Sequence, residues 1–418
     1  MNIREIKNDL LGESYFEIKH PSGVTILVYP KPGYSSSYAI FGTNYGSIDA
    51  QGIPNGTAHF LEHKLFESEE LDAFELFAKT GASANAYTSF DRTCYLFQCG
   101  GNFAENLKIL LGFVQHPYFT EETVKKEQGI IGQEIRMYQD EPDWQVMFNL
   151  LRAAYVNHPV RIDIAGTCES IAEISAETLF GCYDKFYNLN NMVLACAGNT
   201  TVEEVLKICD AELPKEPAPA LPTLREDFGE PYEVGESYIE EYMSVSMPQF
   251  ALGFKEAAGL PMPTQKEMIM TNIITECACG PTTEFYNDLL KEGLISPNFG
   301  TEYFTGPGYR IVMFTGDSRD PLEVAKRIKE HLAKLKESGL EKADFERARR
   351  SFYGRSIMAF NDVDNIANGL VSTFLENYEL FDEIEIFSNM TLLDVNEYLR
   401  GKFDLDNSTL SVIYPKEA

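Results

Sequence analysis

Gly56-Thr57-Ala58-His59-Phe60-Leu61-Glu62-His63-Lys64 is the stretch that decides the reading of this chain. His59 and His63 stand four residues apart, so one helical turn brings their imidazoles side by side. Glu62, three after His59, borders the same face. The stretch predicts a short helix that offers two nitrogen ligands to a metal, with a carboxylate beside them. Metal-assisted hydrolysis needs these parts: ligands that leave one coordination position open, and a base to take a proton from water. The order H-x-x-E-H inverts H-E-x-x-H and occurs among zinc hydrolases. Two His and a Glu can also meet by chance on a solvated face, but only six His occur in the whole chain.

Length and composition frame the helix. At 418 residues the chain is long enough for two domains. A hydrophobic share of 44%, with 28 Phe and 22 Tyr, supplies large cores. The balance of 35 Lys+Arg against 64 Asp+Glu gives a net charge of −29, which argues against nucleic acid as a partner because such a surface repels phosphate. The N-terminal residues hold no apolar signal core, and no run approaches the roughly 18 apolar residues of a membrane span. The expected compartment is the cytoplasm, without membrane attachment. The eight Cys are scattered, mostly through apolar segments, and are expected to be buried free thiols.

Outward from the helix, residues 15–20 and 24–29 read as a hairpin around Pro21-Ser22-Gly23, followed by a strand at 37–42. Asn55 or Thr57 is the expected cap of the His-bearing helix. A second helix is expected over 71–78, then strands at 82–89 and 92–99. The first of these is built of small and polar residues, as suits an edge strand that another backbone can approach. An amphipathic helix covers 102–116, and another starts after Thr120 and carries Glu127 and Glu134. Seven residues apart, these two carboxylates share a face, and either is a candidate for the third ligand that the His pair lacks. A helix over 171–187, a strand at 192–198 and a helix from Thr201 complete this half.

Pro214-Lys215-Glu216-Pro217-Ala218-Pro219-Ala220-Leu221-Pro222 then divides the chain nearly in two. The second half replays the first. Residues 250–254 match the strand at 38–42, 289–294 match 77–82, 309–316 match 92–100, 321–336 match the helix at 102–116, and 341–348 match 120–127. Ala348 then stands opposite Glu127, and Arg355 opposite Glu134. Asn272-Ile273-Ile274-Thr275-Glu276, near the counterpart of the His-bearing helix, has no His. The expected domains are 1–213 with the metal site, a linker at 214–232, and a metal-less counterpart at 233–418.

These residues resemble the pitrilysin/insulinase family of zinc peptidases, the inverzincins, and within it the bacterial YmfH-like members. The resemblance covers nearly the whole chain. It rests on His59-Phe60-Leu61-Glu62-His63, on Gly81-Ala82-Ser83-Ala84-Asn85-Ala86-Tyr87-Thr88, on Glu127 with Glu134, on His158-Pro159 with Gly166-Thr167, and on the duplicated half. It implies an α+β fold of two homologous α/β domains, each a mixed sheet packed by helices, in a clamshell-type peptidase. It implies one Zn2+ per chain held by His59, His63 and Glu134, with Glu62 as general base and Glu127 supporting the site. Asn85, Ala86 and Tyr87 would lie on the strand that pairs with a peptide substrate. The implied activity is metalloendopeptidase cleavage of short or unfolded peptides.

One departure stands out. Members of the family place an Arg, and about seven residues later a Tyr, where they face substrate. Arg310 fits the Arg, but position 317 is Asp317. The resemblance therefore implies a dimer, either of two like chains or with a zinc-less homologous subunit that supplies the missing half of the pair. The rival reading is a catalytically silent peptide-binding or structural subunit. Retention of His59, Glu62, His63 and Glu134 together argues against it, since a scaffold needs none of them.

Overall fold

The computed structural model describes residues 2–50, 52–69, 72–217, 225, 227–257, 259 and 261–416. Leu71 of the second expected helix, and residues 218–224 and 226 of the expected linker, lie outside the described residues. In chain order the strands are β1 (Asn2–Asn8), β2 (Glu13–Lys19), β3 (Thr25–Pro30), β4 (Ser37–Thr43), β5 (Ser83–Thr88), β6 (Thr93–Cys99), β7 (Met192–Gly198), β8 (Tyr238–Met243), β9 (Gln249–Lys255), β10 (Gly300–Gly306), β11 (Tyr309–Asp317) and β12 (Ser408–Pro415). The helices are α1 (Thr57–Leu65), α2 (Ala73–Thr80), α3 (Phe103–Gln115), α4 (Glu121–Gln139), α5 (Pro142–Ala154), α6 (Cys168–Ala172), α7 (Ala176–Phe186), α8 (Val202–Glu212), α9 (Gln265–Cys279), α10 (Glu284–Lys291), α11 (Pro321–Ser338), α12 (Lys342–Ala359), α13 (Val363–Leu375), α14 (Asp382–Asn389) and α15 (Leu392–Lys402). Among the described residues no helix is long and apolar enough to cross a membrane.

Two compact units share the chain. The first is built on a seven-stranded sheet in the order β1-β2-β3-β7-β4-β6-β5, and the second on a five-stranded sheet in the order β10-β11-β9-β12-β8. Read from the opposite edge, the first five strands of the larger sheet are β5-β6-β4-β7-β3, which match the smaller sheet term for term. The single parallel pairing of each sheet also falls at the equivalent place, β3 with β7 and β8 with β12. The duplication expected from the sequence is present in the topology, and the first unit adds the β1–β2 hairpin. Strand β1 was not foreseen. Nor were β8, β10 and β12, or helix α5 and the three helices from α13 onward.

The central strands explain themselves by burial. Both β4 and β7 are buried along their whole length, and β7 reads Met192-Val193-Leu194-Ala195-Cys196-Ala197-Gly198 without alternation. A strand covered on both faces needs no polar side. In the first unit one cover comes from α1, α3 and their neighbours, whose Phe60, Leu61, Leu107, Leu110 and Leu111 are buried in a common core with Phe41 and Phe97. The other cover of β4 and β7 is α13, which arrives from far along the chain. Gly42 on β4 makes room for it, since a Cβ there would lie 3.0 Å from Val371 Cγ1. The second unit repeats the device. Helix α5 lies on β9 and β12, and a Cβ at Gly253 of β9 would lie 3.2 Å from Leu150 Cδ1.

The compact units therefore do not follow the expected boundaries at 213 and 233. The first comprises 1–135, 163–225 and 357–381, and the second 136–162, 226–356 and 382–418. The physical reason is the exchange of α5 and α13, each of which buries its apolar stripe on the sheet formed by the other half of the sequence. The expected helix over 171–187 is also two helices, α6 and α7, the second capped by Ser175. All eight Cys are free thiols, seven of them buried.

Candidate metal centre

Helix α1 is preceded by its N-cap Gly56, whose φ of +90° suits a residue without a Cβ. A Cβ there would sit 2.4 Å from the Ala165 carbonyl oxygen, and one at Gly166 would sit 2.5 Å from the Asn55 carbonyl oxygen. The two glycines let the loops before α1 and before α6 touch backbone to backbone. Neither expected cap acts. The N-cap position is Gly56, with no side-chain cap bond, and the Thr57 hydroxyl donates to the Pro54 carbonyl. Phe60, Leu61 and Leu65 are buried in the core, which turns the face bearing His59, Glu62 and His63 towards α4 and β5.

On α4, Glu127 and Glu134 reach that face together. Glu134 lies between the two imidazoles, its oxygens 3.7 Å from His59 Nε2 and 3.5 Å from His63 Nε2. One ligand atom from each of His59, His63 and Glu134 lies within 4.8 Å of the others. Glu127, 6% exposed, accepts a hydrogen bond from His63 Nδ1 at 2.9 Å. That bond places the proton on Nδ1 and leaves Nε2 with its lone pair facing Glu134. The partner of His59 is different: its Nδ1 is buried with no hydrogen-bond partner among the described residues.

Glu62 is held from the other side. Its Oε2 accepts a hydrogen bond of 2.7 Å from the Thr88 hydroxyl at the end of β5. Thr88 was not singled out as a site residue. It closes a motif visible in the sequence, but spacing alone gives no sign that its hydroxyl turns back to α1.

The electrostatics follow from burial and neighbours. Burial, helped by the charge of His63, pushes His59 down to about 3, so it is a neutral ligand at any ordinary pH. Burial also lifts Glu62 above the usual carboxylate range, against the Thr88 hydrogen bond and the His63 charge. Burial pulls His63 down, but the Glu127 hydrogen bond and the charges of Glu62, Glu134 and Glu127 outweigh it, and His63 ends above its ordinary value. Two imidazole nitrogens and one carboxylate oxygen converging on one point, with a second carboxylate alongside, fit a zinc site of three protein ligands with an open position. A closed structural site would bring a fourth ligand.

Asn85, Ala86 and Tyr87 lie where the sequence put them, on β5 at the outer edge of the seven-stranded sheet, paired on one side with β6. Asn85 is exposed and caps its neighbour, its Oδ1 accepting from the Ala86 N–H at 2.9 Å. Arg310 lies in the second unit, on β11, with 8% exposure. Its guanidinium donates to the Pro261 carbonyl oxygen and stands 3.6 Å from Glu256. Asp317, at the end of the same strand, accepts a 2.8 Å hydrogen bond from Asn298 Nδ2.

Known proteins resemble this chain along most of its length. The profile described as "Insulinase (Peptidase family M16)" matches residues 26–168, and the one described as "Peptidase M16 inactive domain" matches 173–352. The chain is 36% identical to the uncharacterized zinc protease YmfH of Bacillus subtilis, over 99% of this chain and 100% of that one. It is 29% identical to a Schizosaccharomyces pombe sequence named as a mitochondrial-processing peptidase subunit beta, over 45% of this chain and 42% of that one. Among solved structures, a protein of Alicyclobacillus acidocaldarius described as an M16-like peptidase superposes with a TM-score of 0.91 at 35% identity, over 100% of this chain and 99% of that one.

Proposed function

The chain belongs to the insulinase (M16) peptidase family, and from that premise we propose that it is a zinc-dependent endopeptidase acting on short or unfolded peptides. The observation that carries the proposal is the convergence of His59, His63 and Glu134 with Glu62 held beside them. His59 and His63 would hold the ion through Nε2, and Glu134 through a carboxylate oxygen. A zinc ion bound there would supply Lewis acidity, lowering the pKa of water towards ~7 and polarising the scissile carbonyl.

The residues supply the rest. Glu62 takes the proton of the attacking water and later returns it to the leaving amine, a general base and then a general acid. Its raised pKa suits that double role, because a carboxylate nearer neutrality accepts the proton of water more readily and can still return it to the more basic leaving amine. Glu127 keeps His63 in the ligating tautomer. Strand β5 offers its unpaired edge for an extended peptide, with Asn85, Ala86 and Tyr87 along it. Recognition through backbone hydrogen bonds predicts loose sequence selectivity.

Glu62→Gln tests the mechanism. The variant should bind zinc as the parent does and should fail to cleave an unstructured peptide that the parent cleaves in a chelator-sensitive way. Normal turnover by the variant would refute the assignment of Glu62.

The proposed assembly is a dimer, with a homologous zinc-less subunit as the favoured partner. Its support is the engagement of Arg310 by Glu256 and Pro261 within the second unit, and Asp317 in place of a Tyr. Arg310 is thus engaged within its own unit, and Asp317 stands where a Tyr is expected. A relative whose name makes it a peptidase subunit points the same way. Eight free thiols suit a reducing compartment, and the cytoplasm is the proposed one.

A further inference from the structure

We propose that helix α13 is a positioning element of the peptide-binding edge, and that Asn368 is the residue through which it acts; the inference rests on the peptidase reading above. Side chains alternate along β5. Ala84 and Ala86 pack on the core that includes α1, and Thr88 reaches Glu62 on that same face. Tyr87 points to the opposite face, the one covered by α13. Its hydroxyl donates to Asn368 Oδ1 at 3.2 Å. The edge strand is therefore held from both faces, at adjacent residues.

The Asn368 amide is specified by its surroundings. Its Nδ2 donates to the Asp364 carbonyl oxygen at 2.9 Å and to the Tyr38 hydroxyl at 3.2 Å. A carbonyl accepts only, so the nitrogen must face Asp364 and the oxygen is left for Tyr87. Tyr38 lies on β4 and Tyr87 on β5, with β6 between them. One carboxamide thus ties a central strand to the edge strand across an intervening one. The register makes room for this, because Gly42, Cys94 and Tyr87 stand in one cross-strand row, and the first two are small.

The same helix grips the hairpin a second time. Arg92, in the connection between β5 and β6, is buried and pairs with Asp91 at 2.8 Å and with Glu376 at 2.6 Å. Glu376 is the C-cap residue of α13. The β5–β6 hairpin is thereby fixed at its edge strand by Asn368 and at its tip by Glu376. Asn85, two residues from Tyr87, lies on the strand whose pitch these ties set. Among the described residues Asn368 makes no hydrogen bond to α1 or to the candidate ligands, so its loss should loosen the hold on peptide and leave the metal site intact.

The test uses the whole 418-residue chain carrying Glu62→Gln, which should leave bound peptide uncleaved, and measures the anisotropy of a labelled unstructured peptide. Asn368→Ala and Tyr87→Phe are examined singly and together, with zinc affinity measured by chelator competition. Each single change should weaken peptide binding about fivefold, the equivalent of one net hydrogen bond, with zinc affinity unchanged. The double variant should be no weaker than Asn368→Ala alone, because that change already removes the one bond that Tyr87→Phe removes. With Glu62 restored, the same changes should raise KM about fivefold and alter kcat less than twofold. Tyr87→Phe removes one hydroxyl and keeps the ring, so it reports even where Asn368→Ala folds poorly. A parent that cleaves peptide, with Tyr87→Phe binding as tightly as the parent or with additive losses in the double variant, overturns this inference alone. A zinc-loaded parent that neither binds nor cleaves peptide, either alone or together with the homologous subunit that co-purifies with it, overturns the peptidase reading and this inference with it.

Discussion

Replacing Glu127 by Gln removes a charge and little else, and its effect on zinc can be worked from the geometry. Glu127 is buried at 6% exposure and accepts the Nδ1 proton of His63 at 2.9 Å. The Gln carbonyl oxygen can still accept that proton, but without a negative charge the imidazole becomes a weaker donor to a metal. Losing such a carboxylate behind a ligating His costs about 10–100-fold in metal affinity, or about 1.4–2.7 kcal/mol. The pH dependence sharpens the expectation. Glu127 is among the groups that raise His63, so the parent His63 holds its proton to a higher pH and that proton competes with zinc. Without Glu127 the competition weakens. The deficit of the variant should therefore be largest in alkaline solution, where the parent His63 is neutral, and should shrink as pH falls through the raised His63 pKa. Competition with a chromophoric chelator across that range measures both quantities. Parent-like affinity at alkaline pH, or a deficit that grows on acidification, would refute the role given to Glu127.

Three further outcomes follow from single features. Thr88→Val removes the hydroxyl that fixes Glu62, and kcat should fall about tenfold while KM and zinc affinity hold; steady-state kinetics checks this. His158, buried in the second unit, donates from Nε2 to the Pro307 carbonyl and accepts the Val160 N–H at Nδ1, so the neutral ring fills both roles. Burial pushes it down to about 4, below the ~6.5 of an unfolded chain. Between those values the unfolded state binds the extra proton, so stability is present above pH 6.5 and drains as pH falls towards 4, by about 2 kcal/mol at pH 5. Urea titrations at pH 7 and 5 should show the loss, and His158→Gln should flatten this part of the pH slope. Gly42→Ala would press a methyl to 3.0 Å of the stiff Val371 and 3.1 Å of Cys94 Sγ, costing on the order of 1 kcal/mol by overpacking, read as a lower thermal midpoint.

Much of the first unit was legible because its signals are local. His59, Glu62 and His63 fall within one helical turn, and Glu127 and Glu134 within two, so period puts each set on one face, while the choice between the two carboxylates came from the family resemblance. The duplication was legible because strand and helix lengths recur. What stayed hidden depends on partners remote in sequence. Helix α5 and helix α13 carry no mark of the sheet they will cover, so compactness in space divided the chain differently from composition. Thr88 and Asn368 are ordinary polar residues until the fold brings them 2.7 Å from Glu62 and 3.2 Å from Tyr87. The cap of α1 was missed for a related reason, since Gly56 serves a close approach to residue 165 that lies over a hundred positions away.

The exchange of α5 and α13 also sets an order of events during synthesis. The first unit has its strands and every metal-site side chain by residue 225, yet one face of β4 and β7 stays uncovered until 357–381 emerges. At roughly 5–20 residues per second, that interval lasts on the order of ten to thirty seconds. Through it the ligand-bearing half presents an apolar sheet face that only a later part of the same polypeptide can cover. A truncated product that ends at the Pro-rich stretch would hold all of His59, Glu62, His63 and Glu134 and still lack the helix that ties Tyr87 in place. Premature termination there would leave one face of β4 and β7 without the helix that covers it.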